Sequence, residues 1–496
     1  MARRASMPSV SIRLGDFTGG EAHVFPVAAM PSKYSARLQN AYISERGGIA
    51  KLPGYVKCNT TAVGHVLTSG FEYRQRDGSV EILVAGAGNI YKLASGSLSA
   101  IKTGLDAGAK VFFATINDLC IMGNGVDAPL KYDGSTVSNL GGSPPNHGFK
   151  PHVHKNRVWF IDRQDKLKAF YCGLNAPEDW TTPNDAGYLD FAFLLRKGDE
   201  LLDIFTYVDL LVFFFRSHIA IYKGNNPNSG GDFALVQLIE GCGVVQSDTV
   251  QGIGTDCGFL YDSGVKNLQQ VVTTGNLNLG GLSRNIDPAM IPEIAAGLSG
   301  NFASGHYPGL GIYLVLIGSN IWVYSYVWKA WSRMVGADIS GIFGTSDNKL
   351  YLCGNTGFLY QFGSGWDYAG VSPYWAWQTA WVTLGKGANK YFPKLAEIIT
   401  YPGGEVTVNV DARYDMNLSQ AECFATFTTV PAPALMDEPV PDIWENCFYM
   451  DGGNFEANRI PMFGGGRSLR LEFSNTSGDG PIEINDIVLQ AVIGGP

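Results

Sequence analysis

Side chains able to do chemistry are few in this sequence, and they are scattered. His152-x-His154 is the one local pair among seven histidines. On a strand, residues two apart share a face, so both imidazoles could meet one metal ion. No third ligand stands at a suggestive spacing, and the pair reads as histidines of a loop or an interface. Glycoside hydrolysis needs two carboxyls about 5–10 Å apart. Glu178, Asp179, Asp190, Asp199, Glu200 and Asp203 supply carboxylates, but their spacing sets no two of them face to face. A Ser-x-Asp-x-Gly-x-x-Trp turn of the sialidase kind is absent; Lys131–Leu140 and Ser346–Tyr351 share with it only an Asp and a turn. Gly86-Ala-Gly88 and Gly123-Asn-Gly125 read as hairpin turns in which glycine supplies positive φ, not as phosphate loops. The expectation is a protein that is no enzyme, with no catalytic residue, cofactor or metal.

Two aromatic groups, Trp322/Tyr324/Tyr326/Trp328/Trp331 and Trp375/Trp377/Trp381, could stack sugars. Packing between sheets or at a subunit contact is the simpler reading. The eight cysteines are dispersed without a C-x-x-C, and several lie in apolar strands, where a free thiol behaves as a small core residue. Cys242 and Cys257 could approach across a hairpin but are expected to stay unpaired, in keeping with folding in a reducing compartment. The start, Met1-Ala-Arg-Arg-Ala-Ser-Met-Pro, lacks the apolar segment of a secretory signal. No apolar run approaches the 18 residues of a membrane-spanning helix, so none is expected. The sequons at Asn59, Asn417 and Asn475 are expected to carry nothing.

Charged residues make up 16% of the chain, Gly numbers 62, and net charge is −9. A basic stripe is missing, which argues against a nucleic-acid reader. A sparsely charged, glycine- and aromatic-rich chain suits many tight turns between strands, and large surfaces covered by partners.

What must position these residues is a phrase the chain repeats. An apolar strand runs into a Gly/Asn/Asp/Ser turn, and a second strand ends in aromatic or large apolar residues. It reads Leu83-Val-Ala-Gly-Ala-Gly-Asn-Ile-Tyr, then recurs from Leu119, Val158, Leu211, Phe259, Leu314 and Leu350, at intervals of 36, 39, 53, 48, 55 and 36 residues. Hairpins repeating at roughly 40–50 residues are the mark of propeller blades, since a lone hairpin cannot bury its faces. The fold class expected is all-β: a β-propeller of about seven blades over residues 63–372. Residues 1–62 form an N-terminal segment contributing strands and contacts. Residues 373–496 form an appended antiparallel β-sandwich, signalled by Glu397-Ile-Ile-Thr-Tyr, the period-two run Val406-Thr-Val-Asn-Val, Ser468-Leu-Arg-Leu-Glu-Phe and Ile482-Glu-Ile-Asn-Asp-Ile-Val-Leu. Turns are expected at Pro402-Gly-Gly and after Phe473. Two insertions break the beat. Gly224–Asp232 is polar; Asn285–Asn301 holds a short helix capped by Asp287 with Pro288 first.

Several segments, taken in order, resemble the tail hub, or nozzle, proteins of short-tailed bacteriophages, also called packaged-DNA stabilisation proteins. They are Leu38-Gln-Asn40-Ala-Tyr with Glu45-Arg46-Gly-Gly48 and Pro53-Gly54; Lys131-Tyr132-Asp133-Gly134; and His154-Lys-Asn156-Arg157-Val-Trp-Phe with Trp180 downstream. Gly243-Val-Val-Gln-Ser leading to Asp262-Ser-Gly264 and the Tyr324–Trp331 hairpin complete the set. Lys51-Leu52 departs from the family's commoner Arg-containing turn. The resemblance implies a structural virion protein without catalysis, assembled in the host bacterial cytoplasm and resident in the tail. Its partners would be five further copies in a six-membered ring, the head-to-tail adaptor, and tail fibres, spikes or a needle. Double-stranded DNA would pass through the lumen, retained until ejection and not specifically bound. The alternative is a carbohydrate-binding or glycoside-hydrolysing propeller acting on a host surface. Size by light scattering separates the two.

Overall fold

The computed structural model describes residues 9–183, 185–195, 199–254, 256–269, 272, 281–384, 390–402, 404–418, 421–429, 455–475 and 480–494. Gly403 and residues 476–479, where turns are expected, and Cys447 lie outside these.

The chain is nearly all β. Antiparallel sheets follow one another along residues 69–362, each built of neighbouring strands in sequence order. Sheets I to IV have four strands each and begin at Ser69, Phe112, Gly148 and Leu201. Sheet V has three described strands from Gln251, and sheet VI begins at Phe302. Sheet VII takes Gly341–Gly344, Leu350–Cys353 and Leu359–Phe362 from this region, and its outer strand, Tyr55–Lys57, comes from the N-terminal segment. The first strand of sheet VII also lies against the first strand of sheet I, so the sheets close into a β-propeller.

Every repeated phrase falls on a second strand. Val80–Gly86, Leu119–Gly123, Arg157–Asp162, Leu210–Phe215, Asp256–Tyr261, Ile312–Ile317 and Leu350–Cys353 are those strands. Neighbouring sheets cover both faces of a second strand, so its residues are apolar on both sides. Ile312–Ile317 is buried at all six positions. Between sheets IV and V the shared packing includes Val212, Phe214, Ile219, Val244 and Phe259.

The short helix α1 (Asp287–Gly297) begins one residue earlier than the sequence suggests: Ile286 is the N-cap and Asp287 the first helical residue. Asp287 instead accepts a 2.6 Å bond from the Ser283 hydroxyl. Met290 and Ile294 pack on Ile317, Trp322, Tyr324 and Trp331.

Beyond residue 373, strands belong to two sheets, and the N-terminal segment is woven through both. Ser9–Leu14 pairs with Ile482–Ile493, and Ile49–Lys51 pairs with the same strand. Tyr34–Gln39 pairs with Trp375–Thr379 and touches the outer strand of sheet VI at Arg333. Thr407–Tyr414 alternates exposed and buried, with Val408, Val410, Ala412 and Tyr414 facing inward. These meet Ile398, Phe473 and Ile487 from the strands around them in one apolar core.

Candidate functional site

The residues that carry the family resemblance resolve into two groups. Five of them build the joint between the propeller and the C-terminal sheets. Asn40 is 1% exposed and has φ +52°, a left-handed conformation that Asn tolerates better than most residues. Its Nδ2 donates to the carbonyls of Val335 and Tyr374, both at 3.0 Å. Its Oδ1 accepts from the Val335 N–H at 2.7 Å and the Tyr368 hydroxyl at 2.8 Å. One side chain therefore ties the exit of sheet VI to the connection into the C-terminal region. Gly54 N–H donates to Gly365 O at 2.9 Å, and a Cβ there would fall 2.1 Å from Asp367 O. Pro53, also buried, precedes it, and Tyr55 stacks on Tyr368 and meets Tyr360 at a tilt, with ring centroids 4.8 and 4.7 Å away. Gly48 closes against the Asn485 side chain, 2.1 Å from a built Cβ. Arg46 reaches Glu483 at 3.3 Å and lies 4.1 Å over the Tyr401 ring.

The other nine positions serve their own sheets. The Tyr132 hydroxyl lies 2.9 Å from Glu81 Oε2, and burial raises its pKa. Asp133 Oδ1 accepts from the N–H groups of Ser135 and Thr136 at 2.8 and 2.7 Å, which lowers its pKa to about 2. Gly134 supplies φ +94°. Asn156 has φ +60°, and Arg157 donates to the carbonyls of Cys172 and Asp185 and to the Asp185 carboxylate. Trp180 packs on Phe160, its indole N–H on Pro177 O at 3.0 Å. A Cβ on Gly243 would fall 2.1 Å from Phe215 O. Asp262 is exposed in a turn whose Gly264, at φ +99°, faces Ser283 and Asp287. The fourteen positions are corners of the architecture, not one assembled centre.

At the axis the structure gathers residues that spacing did not reveal. Lys150 and Asp203, from the first strands of sheets III and IV, are paired, and the Asp203 carboxylate also accepts the Asp248 N–H at 3.1 Å. Lys110 Nζ meets Asp248 at 2.5 Å and Phe302 O at 3.0 Å. Ser304 donates to Asp248 O at 3.1 Å. Burial raises the Asp203 pKa, with Lys150 opposing. Two cations offset two anions, so the belt presents no net charge. Beside it opens a polar cleft of about 320 Å³ between Asp248, Gln251, Ser304, His306 and Asn348.

His152 and His154 do not lie in a loop. They lie on the first strand of sheet III, and both ring nitrogens reach one hydroxyl, Thr206 Oγ1, at 2.8 and 3.0 Å. Burial lowers their pKa values to about 3 and about 4. Their shared partner is a threonine, and no group of three or more metal-ligating side chains occurs among the described residues.

The six weighed carboxylates have structural partners. Glu178 pairs with Lys131, and Glu200 with Lys166 and Arg216. Asp179 accepts backbone N–H groups of Thr181 and Thr182, and Asp190 that of Ala192. Asp203 holds Lys150. Asp199 lies 2.5 Å from His218 Nδ1, and Ser217 Oγ reaches the same nitrogen at 3.2 Å. A Ser–His–Asp relay needs the hydroxyl and the carboxylate on opposite ring nitrogens. This trio has both on one.

Neither aromatic group is arranged as a platform for sugars. Trp322, Tyr324 and Trp331 are core beneath α1, and Trp375 and Trp377 are core of the C-terminal sheets. Trp381 is buried too, and Trp328 donates to Ser44 O at 2.6 Å.

Radial sheets closed by an N-terminal strand define the class of protein, a β-propeller. No family model matches the chain, and no curated protein does. Among solved structures it is similar to the WD40 β-propeller domain of Doa1 at 9% identity, covering 64% of this chain and 97% of that one, with a TM-score of 0.42. It is similar to streptogramin B lyase at 11% identity, covering 62% and 96%, TM-score 0.39. The extracellular domain of the putative one component system BT4673 from B. thetaiotaomicron matches at 12% identity, covering 76% and 48%, TM-score 0.45. No function is carried across from these.

Proposed function

We propose that the chain is a structural virion protein of the tail-nozzle kind. In this reading sheets I to VII are the seven blades of one propeller. Tyr55–Lys57 closes the ring, and the C-terminal strands with their N-terminal partners form a β-sandwich. Copies assemble into a ring of six below an adaptor, extending a DNA channel that retains packaged genome until ejection. The observation that carries the reading is the joint. The N-terminal residues of the resemblance, Asn40 through Gly54, lock propeller to sandwich, as an architectural likeness requires.

Charge fits a conduit that must not grip its cargo. Each neutralised phosphate adds salt-dependent affinity, and a handful of contacts changes binding by roughly 10³–10⁵ over modest salt ranges. The chain has 36 Lys+Arg against 45 Asp+Glu, and six copies at −9 would carry about −54. Assembly must then rest on apolar contacts and strengthen as salt screens the subunits. Light scattering and particle imaging test this. A closed ring without submicromolar affinity for duplex DNA at physiological salt is expected; an obligate monomer, or tight DNA binding, overturns it.

A further inference from the structure

One concave feature between adjacent sheets lies outside the axis. A cleft of about 650 Å³ opens where the Lys155–Arg157 turn of sheet III meets the polar insertion of sheet IV. That volume falls within the ~300–1,000 Å³ typical of small-ligand sites. Eight of its nine lining residues are polar, and Leu174, half exposed, is the only apolar one. We propose that this cleft is a binding site for a neutral, hydroxyl-rich ligand, an oligosaccharide. The proposal is independent of the tail reading.

Charge comes first. Lys155 is paired with Asp209 and Arg157 with Asp185 along the cleft wall, so the four charges sum to zero. A phosphate or nucleic acid would have to desolvate beside two carboxylates, and an apolar ligand would strand polar groups against Leu174 alone. A peptide would need apolar pockets or a free strand edge. A polyol matches donors and acceptors of both signs, while Leu174 offers an apolar surface to ring C–H groups.

Pre-organisation comes second. Arg157 is 4% exposed and fixed by three bonds to Cys172 and Asp185, yet its Nε is buried without a partner. Lys155 is held by Asp209 at 2.8 Å, and that carboxylate stays 60% exposed. On the opposite wall, Asp232 accepts the N–H groups of Asn225 and Asn226 at 2.9 and 2.7 Å. Asn226 Oδ1 holds Asn228 Nδ2 at 2.6 Å, and Tyr171 donates to Asn228 Oδ1 at 3.1 Å. Amides set by such a scaffold lose little entropy when a ligand arrives.

The test uses the full chain on an array of microbial glycans, followed by titration calorimetry with the neutral hits and with inorganic phosphate. At least one neutral glycan is expected to bind at millimolar affinity or tighter, with phosphate at least ~10-fold weaker. Leu174→Trp, which fills the cleft, and Asn226→Ala, which removes one wall amide, should each weaken binding about tenfold or more at unchanged melting temperature. No neutral binding at ~10 mM, equal binding of phosphate, or full affinity in both folded variants overturns the assignment. If Leu174→Trp fails to fold, Asn226→Ala alone decides.

Discussion

Replacing Asn40 by Ala removes the joint's central side chain and leaves four partners behind: the Val335 N–H and carbonyl, the Tyr374 carbonyl and the Tyr368 hydroxyl. Each lost bond is worth about 1 kcal/mol net, and more where the partner stays buried and unpaired. Alanine at φ +52° adds roughly 1 kcal/mol of backbone strain, because its Cβ crowds the following carbonyl. The total is about 4–5 kcal/mol, at the upper end of single substitutions. Urea unfolding followed by both tryptophan fluorescence and circular dichroism measures it, and limited proteolysis should show new cleavage near residues 365–375. Asn40→Asp refines the test. It keeps two acceptors but turns lone pairs towards two carbonyl oxygens, so its folded pKa should rise above the unfolded value. Its stability relative to wild type is then present at low pH and lost as pH rises through that pKa. A loss under about 1.5 kcal/mol for Asn40→Ala, or an Asn40→Asp difference independent of pH, would refute the account of the joint.

Acid should act through His152. Its folded pKa of about 3 lies below the unfolded value near 6.5, so the neutral ring's stabilisation is present above pH ~6.5 and falls as the unfolded state protonates. At pH 5 the loss is about 2 kcal/mol for this ring and about as much for His154, whose pKa burial lowers to about 4, so His152→Gln should remove roughly half of the fall in urea midpoint between pH 7.5 and 5. Gly54→Ala places a methyl 2.1 Å from a backbone carbonyl that cannot yield cheaply, and should cost about 2 kcal/mol or more in the same assay. Cys242 and Cys353, whose pKa values burial raises to about 12, should resist a thiol reagent at pH 8 until urea is added. Rapid native labelling of either would show that the strands around them open. Deleting residues 1–58 should leave insoluble protein, since it removes the outer strand of sheet VII as well as five strands of the C-terminal sheets.

Sheets were legible where burial is two-sided. Leu314-Val-Leu-Ile and Leu350-Tyr-Leu-Cys stand out because neighbouring sheets cover both faces, which leaves no polar register to dilute them. Inner and outer strands were quieter for the converse reason. Val137–Asn139 is exposed at two of three positions, and Gly148–His154 keeps polar residues facing its neighbours. The closing strand Tyr55–Lys57 spans three residues and pairs with Phe362, 307 positions away from Tyr55, a separation no local pattern encodes. Helix α1 was readable from Asp287-Pro288, but Ser283 attracts the Asp287 carboxylate and so moves the cap to Ile286.

Chemistry is harder to read than architecture here because each reactive side chain is claimed by a structural partner that lies far away in sequence. Lys110 and Asp248 are 138 residues apart and Lys150 and Asp203 are 53 apart, so nothing local announces the axial belt. The histidine pair was visible and its shared face was read correctly, yet the partner that face meets, Thr206, lies more than fifty residues away. Asn40 shows the opposite case. Its motif suggested a likeness, and the structure supplies the physical content: a left-handed backbone that Asn tolerates, with four bonds no aspartate or leucine could reproduce. Such a residue constrains the chain as strongly as a catalytic group would. A sequence motif can therefore mark a joint as readily as an active site, and only the partners at each polar atom separate the two.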